Sequence, residues 1–160
     1  MIVLKKIPMM GIITAFMVLF LDQLTKWVAI ASLKEVGSVN VLPIFNFTLV
    51  YNKGVSFGMF NGGSIYEILF IFALTCAILI FVFIWLFKVE DIYKAICLGL
   101  VIGGAIGNLI DRFVYPGVVD FLDFYIGKHH FPVFNLADSC IFCAVVLLLS
   151  ENFIKKRFCK

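Results

Sequence analysis

The residues of this chain able to do chemistry are carboxylates, amides and a few bases, and they fall in short groups. These are Asp22–Gln–Leu–Thr–Lys26, Asn108–Leu–Ile–Asp111–Arg112, Val118–Val–Asp120–Phe121 with Asp123 just beyond, and Phe134–Asn135–Leu–Ala137–Asp138. Asp22 and Lys26 stand i, i+4 with the acid first, the favourable order for a helical ion pair. Asn108 and Arg112 flank Asp111 and are placed to pair with neighbouring carboxylates, Arg112 through its fork of donors. Asn135 and Asp138 stand i, i+3 at the start of an apolar run, where a helix N-terminus favours a carboxylate. Capping suits Asn135 better than Asp138, which is expected to lie deeper. Asp120 and Asp123 read equally well as solvated loop acids. No Ser–His–Asp or Cys–His pattern offers a nucleophile. Cys140 and Cys143 form a CxxC without a second pair, and His129–His130 is a lone doublet, so packing is favoured over a metal site. Carboxylates meeting at one place leave two chemistries open: acid–base hydrolysis by an aspartate pair, or a carboxylate relay in a small transporter subunit. A non-catalytic assembly factor is a third reading.

The elements that must position these groups are membrane helices. Of 160 residues, 63% are hydrophobic and only 14% charged, with mean hydropathy +1.10. Soluble domains run near 45–50% apolar and about 25% charged, so an ordinary cytosolic enzyme and a disordered chain are excluded. The net charge of +3, clustered at the ends, does not suit a nucleic-acid partner. Apolar length predicts four spans: Ile7 to Leu33, Ile65 to Phe87, Ala95 to Ile110, and Val133 to Ser150. A signal peptide cleaved after Ala29–Ile30–Ala31 is the rival reading of the first. Asp22 and Lys26 between the apolar stretch and that site argue against it.

Lys5, Lys6, Lys88, Lys94, Lys155, Lys156, Arg157 and Lys160 all fall on one side of four spans, which predicts that both termini are cytoplasmic. At ~1.5 Å per residue, Asp22 lies about 22 Å along span one, Asn108 and Asp111 about 20 and 24 Å along span three, and Asp138 about 8 Å inside the outer end of span four. The acids therefore converge near the outer boundary. A relay would spread them over several depths. Gly99, Gly103 and Gly107 form a small-residue stripe for close helix approach, and Asp111 continues it into the bundle. The outer connection Val39–Tyr51, β-branched and aromatic, predicts short strands on the membrane surface. With no repeat or linker, residues 1–160 read as one domain.

Taken in order, these groups resemble the bacterial lipoprotein signal peptidases (signal peptidase II). The resemblance spans nearly the whole chain and includes Asn52–Lys–Gly54–Val–Ser–Phe57–Gly58 and Gly103–Gly–Ala–Ile–Gly107. It implies an all-α membrane protein of four transmembrane helices with a small β-rich cradle on the outer surface. It implies an intramembrane aspartyl endopeptidase of the cytoplasmic (inner) membrane, with its site toward the outer face. Such enzymes cut the signal peptide from a prolipoprotein just before the diacylglyceryl-modified cysteine. By the same resemblance Asp120 and Asp138 are catalytic, and Asp22, Lys26, Asn52, Gly54, Asn108, Asp111, Arg112, Asn135 and Ala137 support the site or contact substrate. The expected partners are prolipoproteins and membrane lipid, with no nucleic acid, no cofactor and no metal, and the chain is expected to act as a monomer. Val55–Ser56 depart from the small residues common at that point of the family pattern.

Overall fold

A computed structural model describes residues 2–54 and 65–158. Val55–Gly58 of the loop motif, and Cys159 and Lys160, lie outside the described residues. The elements in order are α1 (Ile2–Leu33), β1 (Ser38–Leu42), β2 (Phe45–Asn52), α2 (Ile65–Leu86), α3 (Ile92–Val114), β3 (Val118–Ile126), β4 (His129–His130) and α4 (Leu136–Phe158). Among the described residues three helices carry stretches long and apolar enough to cross a membrane, Lys6–Leu33, Leu69–Leu86 and Ile92–Val114. The apolar part of α4, Leu136–Ser150, is shorter. Phe16, Phe70, Phe81 and Phe142 stand exposed on the outer faces, as side chains facing lipid rather than water do.

The third helix differs from the expected span at both ends. It begins earlier because Asp91 caps it, accepting the Tyr93 N–H at 2.9 Å. It runs through Asp111 and Arg112 to Val114 instead of stopping on them, because α1 and β3 supply partners for Asp111 while Arg112 donates to the Asn108 carbonyl of its own helix.

This helix is the hub, packing against α1, α2 and α4. Where lipid is the solvent, helix association depends on close packing rather than on escape from water, and the glycines supply it. A methyl group on Gly99 would collide with the Gly11 carbonyl of α1, and one on Gly103 with the Ala15 carbonyl. Gly107 gives its space to the Asp22 carboxyl. On the next face, a methyl on Gly104 would sit 2.8 Å from the Ala137 carbonyl oxygen of α4. Thus α3 is held between α1 and α4 at backbone distance. Behind this seam Leu86, Ala95, Leu98 and Ile102 form the main apolar core with Ile7, Ala15 and Val82.

The strands form one antiparallel sheet in the order β1-β2-β3-β4. The expected strands over Val39–Tyr51 are present as β1 and β2. The second connection, read as a loop, is the long strand β3, paired with β2 through Phe45↔Phe124, Val50↔Asp120 and Asn52↔Val118. Asp120 and Asp123 are therefore buried strand residues, not solvated loop acids. Ala29 and Leu33 of α1 pack on Phe121, with Leu49 and Leu122 around them, and anchor the sheet over the end of the first helix.

Gly103→Val should destabilise the fold by about 1–3 kcal/mol, the cost of forcing volume into a closed contact. Thermal unfolding in detergent measures it, and an unchanged transition would remove the stripe from the α1–α3 seam.

Candidate active site

The site grows from one buried cation. Lys26 is 1% exposed, and its ammonium has three N–H donors to satisfy. It finds three acceptors: Asp22 Oδ2 at 2.8 Å one helical turn back, Asp111 Oδ2 at 2.7 Å on α3, and Asn108 Oδ1 at 2.8 Å, also on α3. The i, i+4 spacing anticipated the first contact. The second carboxylate comes from the glycine stripe, since α3 must press closely on α1 for Asp111 to reach.

Each acid uses its remaining lone pairs to hold another element. Asp22 Oδ1 accepts the Ala137 N–H at 3.0 Å, one of the first-turn donors of α4 that no helix can satisfy internally. Asp111 Oδ2 accepts the Val119 N–H at 3.0 Å, which fixes β3 against α3. Its Oδ1 accepts Gln23 Nε2 at 3.0 Å, and Gln23 also donates to the Gly107 carbonyl at 3.2 Å. Gln23 was absent from the expected site, and the signal for it was an amide directly after Asp22 within an apolar span.

Asn108 passes the connection onward. Its Oδ1 holds Lys26, so its Nδ2 points away and donates to Asp138 Oδ1 at 2.8 Å. Asp138 lies in the first turn of α4, nearer the helix start than the expected position about 8 Å inside the outer end of the span. Asn135 Oδ1 accepts the Asp138 N–H at 2.9 Å, and Asp138 Oδ2 accepts the Asn135 N–H at 3.3 Å. This is a reciprocal capping box, so both residues cap the helix. The apolar Val133 and Phe134 precede the cap, which is why the span was expected to start before it.

With Oδ1 engaged in capping, the fully buried Asn135 turns Nδ2 to Asp120 Oδ1 at 2.7 Å. The same amide group lies 3.1 Å from Asn108 Oδ1 and 3.3 Å from the Val119 carbonyl. Asn52 Nδ2 donates to the other oxygen of Asp120 at 3.0 Å, while Asn52 Oδ1 accepts the Gly54 N–H at 2.9 Å. Gly54 has φ +91°, a left-handed conformation that favours glycine. Asp120 and Asp138 thus come from a strand and a helix and share one residue, Asn135, whose side chain holds the first and whose backbone N–H holds the second.

Burial pushes the Asp120 carboxyl up to about 6, and the charge of Asp138 adds to the rise against the hydrogen bonds from Asn52 and Asn135. Asp123 points to the opposite face of β3, as strand alternation requires. Burial alone would raise it too, but bonds from His130 at 2.7 Å and Thr48 at 3.0 Å hold it below the usual carboxylate range. Arg112 does not fork onto a carboxylate as expected. Its Nη1 donates to the Asn108 carbonyl at 2.9 Å, which leaves its charge to act through space on Asp138, Asp111 and Asp120. Among the described residues no three His, Cys, Asp or Glu side chains group to hold a metal, and Cys76, Cys140 and Cys143 are free thiols. Two carboxylates held by one asparagine, Asp120 by its side-chain amide and Asp138 by its backbone N–H, with the Asp120 carboxyl raised to about 6, form an arrangement suited to acid–base chemistry.

Known proteins resemble the chain over most of its length. The family described as Signal peptidase (SPase) II matches residues 14–154. A lipoprotein signal peptidase of Coxiella burnetii is 41% identical over 135 residues, covering 83% of this chain and 83% of its own. One from Acinetobacter baumannii is 37% identical over 139 residues, covering 86% of this chain and 79% of its own. A bacterial membrane enzyme solved in meso superposes with a TM-score of 0.77 at 33% identity, covering 91% of this chain and 88% of that one.

Lys26→Met would leave Asp22 and Asp111 buried without their cation. Breaking such a pair from one side costs about 3–5 kcal/mol. Thermal unfolding of the purified variant should show a loss of that size, and a melting temperature within a degree or two of wild type would refute the central role of the cation.

Proposed function

Because this chain belongs to the signal peptidase II family, we propose that it is an aspartyl endopeptidase that removes signal peptides from diacylglyceryl-modified prolipoproteins. Cleavage falls just before the lipidated cysteine. Asp120 and Asp138 carry the reaction. In this reading the chain crosses the cytoplasmic membrane four times with both termini cytoplasmic, the pair works at the outer face, and the chain acts as a single domain and a monomer. The observation that supports this most directly is the Asn135 bridge, which holds two carboxylates from separate elements, one by its side-chain amide and the other by its backbone N–H.

Two close carboxylates in a low-dielectric site cannot both ionise cheaply, so the pair keeps one proton. The ionised member takes a proton from water as that water attacks the scissile carbonyl. The protonated member donates to the carbonyl oxygen as the tetrahedral intermediate forms. Collapse then breaks the C–N bond, and a proton from the pair goes to the leaving amine. One water is consumed and one peptide bond is cut. Asn52, Asn108 and Asn135 orient the acids without adding charge. Asp22, Lys26, Asp111 and Arg112, with Gly54 and Ala137, hold those amides in place. The substrate suits this depth, since a diacylglyceryl group gains about 0.8 kcal/mol for each CH₂ kept in lipid while the cysteine backbone reaches the boundary.

Asp120→Asn and Asp138→Asn preserve shape and remove the titrating group. Each should lower turnover of a lipidated precursor by at least about 100-fold, followed as release of the signal peptide on a gel beside an unlipidated precursor. Near-wild-type turnover in either folded variant would rule out the pair.

The rise at Asp120 also sets a pH dependence. A carboxyl whose pKa is raised keeps its proton at higher pH, so the singly protonated pair is lost as pH climbs past about 6. A plot of kcat/KM against pH should break downward near that value on its alkaline side. The break belongs to the pair rather than to one residue. A flat profile from pH 5 to about 8 would contradict the shared proton.

A further inference from the structure

Gly117 stands immediately before β3 and plays no part in the hydrogen-bond network. A Cβ built on it would lie 2.7 Å from the Asn52 carbonyl oxygen, 2.8 Å from the Asn52 carbonyl carbon and 3.1 Å from the Lys53 nitrogen. All three are backbone atoms, which cannot rotate aside as a side chain would. Backbone conformation does not require glycine here, because the positive φ angles belong to Gly37, Gly54 and Gly127. Space does. Asn52 pairs with Val118 in the ladder, so Gly117 lies beside the last rung, where β2 hands its asparagine to the site. The Tyr51 and Tyr115 rings, 6.2 Å apart, flank the same junction.

We propose that Gly117 is a positioning residue for the Asp120 carboxyl: its missing side chain lets the end of β2 lie close enough to β3 for the Asn52 amide to reach Asp120. The inference rests on the aspartyl reading above. The asparagine can turn only one way, since Oδ1 is taken by the Gly54 N–H and Nδ2 is left for Asp120. Pushing the strand end outward by a few tenths of an ångström or more stretches that 3.0 Å bond first. The other groups acting on Asp120 sit on different elements. Asp138 and Asn135 belong to the start of α4, Lys26 to α1 and Arg112 to α3. None touches the β2–Gly117 contact, so they keep their influence when it changes. Losing the Asn52 donor removes a group that favours the ionised form, so the proton is held to higher pH.

The test is the alkaline limb of kcat/KM against pH for wild type, Gly117→Ala, Asn52→Ala and the double variant, using lipidated precursor in detergent. Thermal unfolding is followed in parallel. Gly117→Ala should move the limb upward in the same direction as Asn52→Ala, and the double variant should move it no further. Asn52→Gln, one methylene longer, should bring the limb of the Gly117→Ala protein back toward wild type. A Gly117→Ala limb at the wild-type position, additive shifts, or a variant that fails to fold would each overturn the inference and leave Gly117 a packing residue. If Asn52→Ala itself does not move the limb, Asp120 is not the group being titrated. In that case the aspartyl reading fails rather than the role of Gly117 alone.

Discussion

A fully buried ammonium dictates the architecture of this protein. Taking Lys26 out of water carries a desolvation cost that only well-aimed partners offset, and every contact that satisfies it constrains another part of the chain. For Asp111 to reach Lys26, α3 must lie against α1 at a distance that only Gly99, Gly103 and Gly107 permit. The same Asp111 oxygen that pairs with Lys26 also accepts the Val119 N–H, so the ion pair also sets where β3 begins. Asp22 does the same for α4 through the Ala137 N–H. Three helices and a strand meet at one charge.

Beyond that cluster the connections are made by amides. Asn108, Asn135 and Asn52 each accept on one side and donate on the other. A side-chain amide carries orientation across a buried site without adding charge, which matters where acids are already close together. The contrast along β3 shows how far surroundings decide chemistry. Asp120 and Asp123 are three residues apart on one strand and both buried. One faces two amides and another acid and holds its proton, while the other faces a histidine and a threonine hydroxyl and gives it up.

Much of this was readable in one dimension because it is periodic. The Asp22–Lys26 spacing, the glycine stripe and the apolar spans are local patterns, and their consequences survive in three dimensions. The second partner of Lys26 was not readable, because Asp111 is 85 residues away and nothing in either helix alone aims it. The run Val118–Ile126 concealed a strand, since Asp120 and Asp123 fall on opposite faces and break the apolar–polar alternation that marks one. Asp138 was placed too deep because apolarity alone does not mark a helix start. Pro132, Val133 and Phe134 are apolar, and yet the helix begins only where Asn135 can cap it. The aim of Asn52 depends on Gly54 and on strand pairing, neither of which has a signature at the asparagine itself.

The internal ion pair of α1 also bears on how the protein is made. A lone charge on a helix entering a bilayer costs about 2.5–3.5 kcal/mol on insertion scales. Lys26 emerges from synthesis with Asp22 one turn before it, on the same helix and within salt-bridge reach, so the first span can enter lipid with its charges already matched. The third span brings its acid and base adjacent, as Asp111 and Arg112. When α3 docks, Asp111 joins a pair that already exists, and assembly never has to bring together two bare charges from opposite sides of a lipid-filled gap.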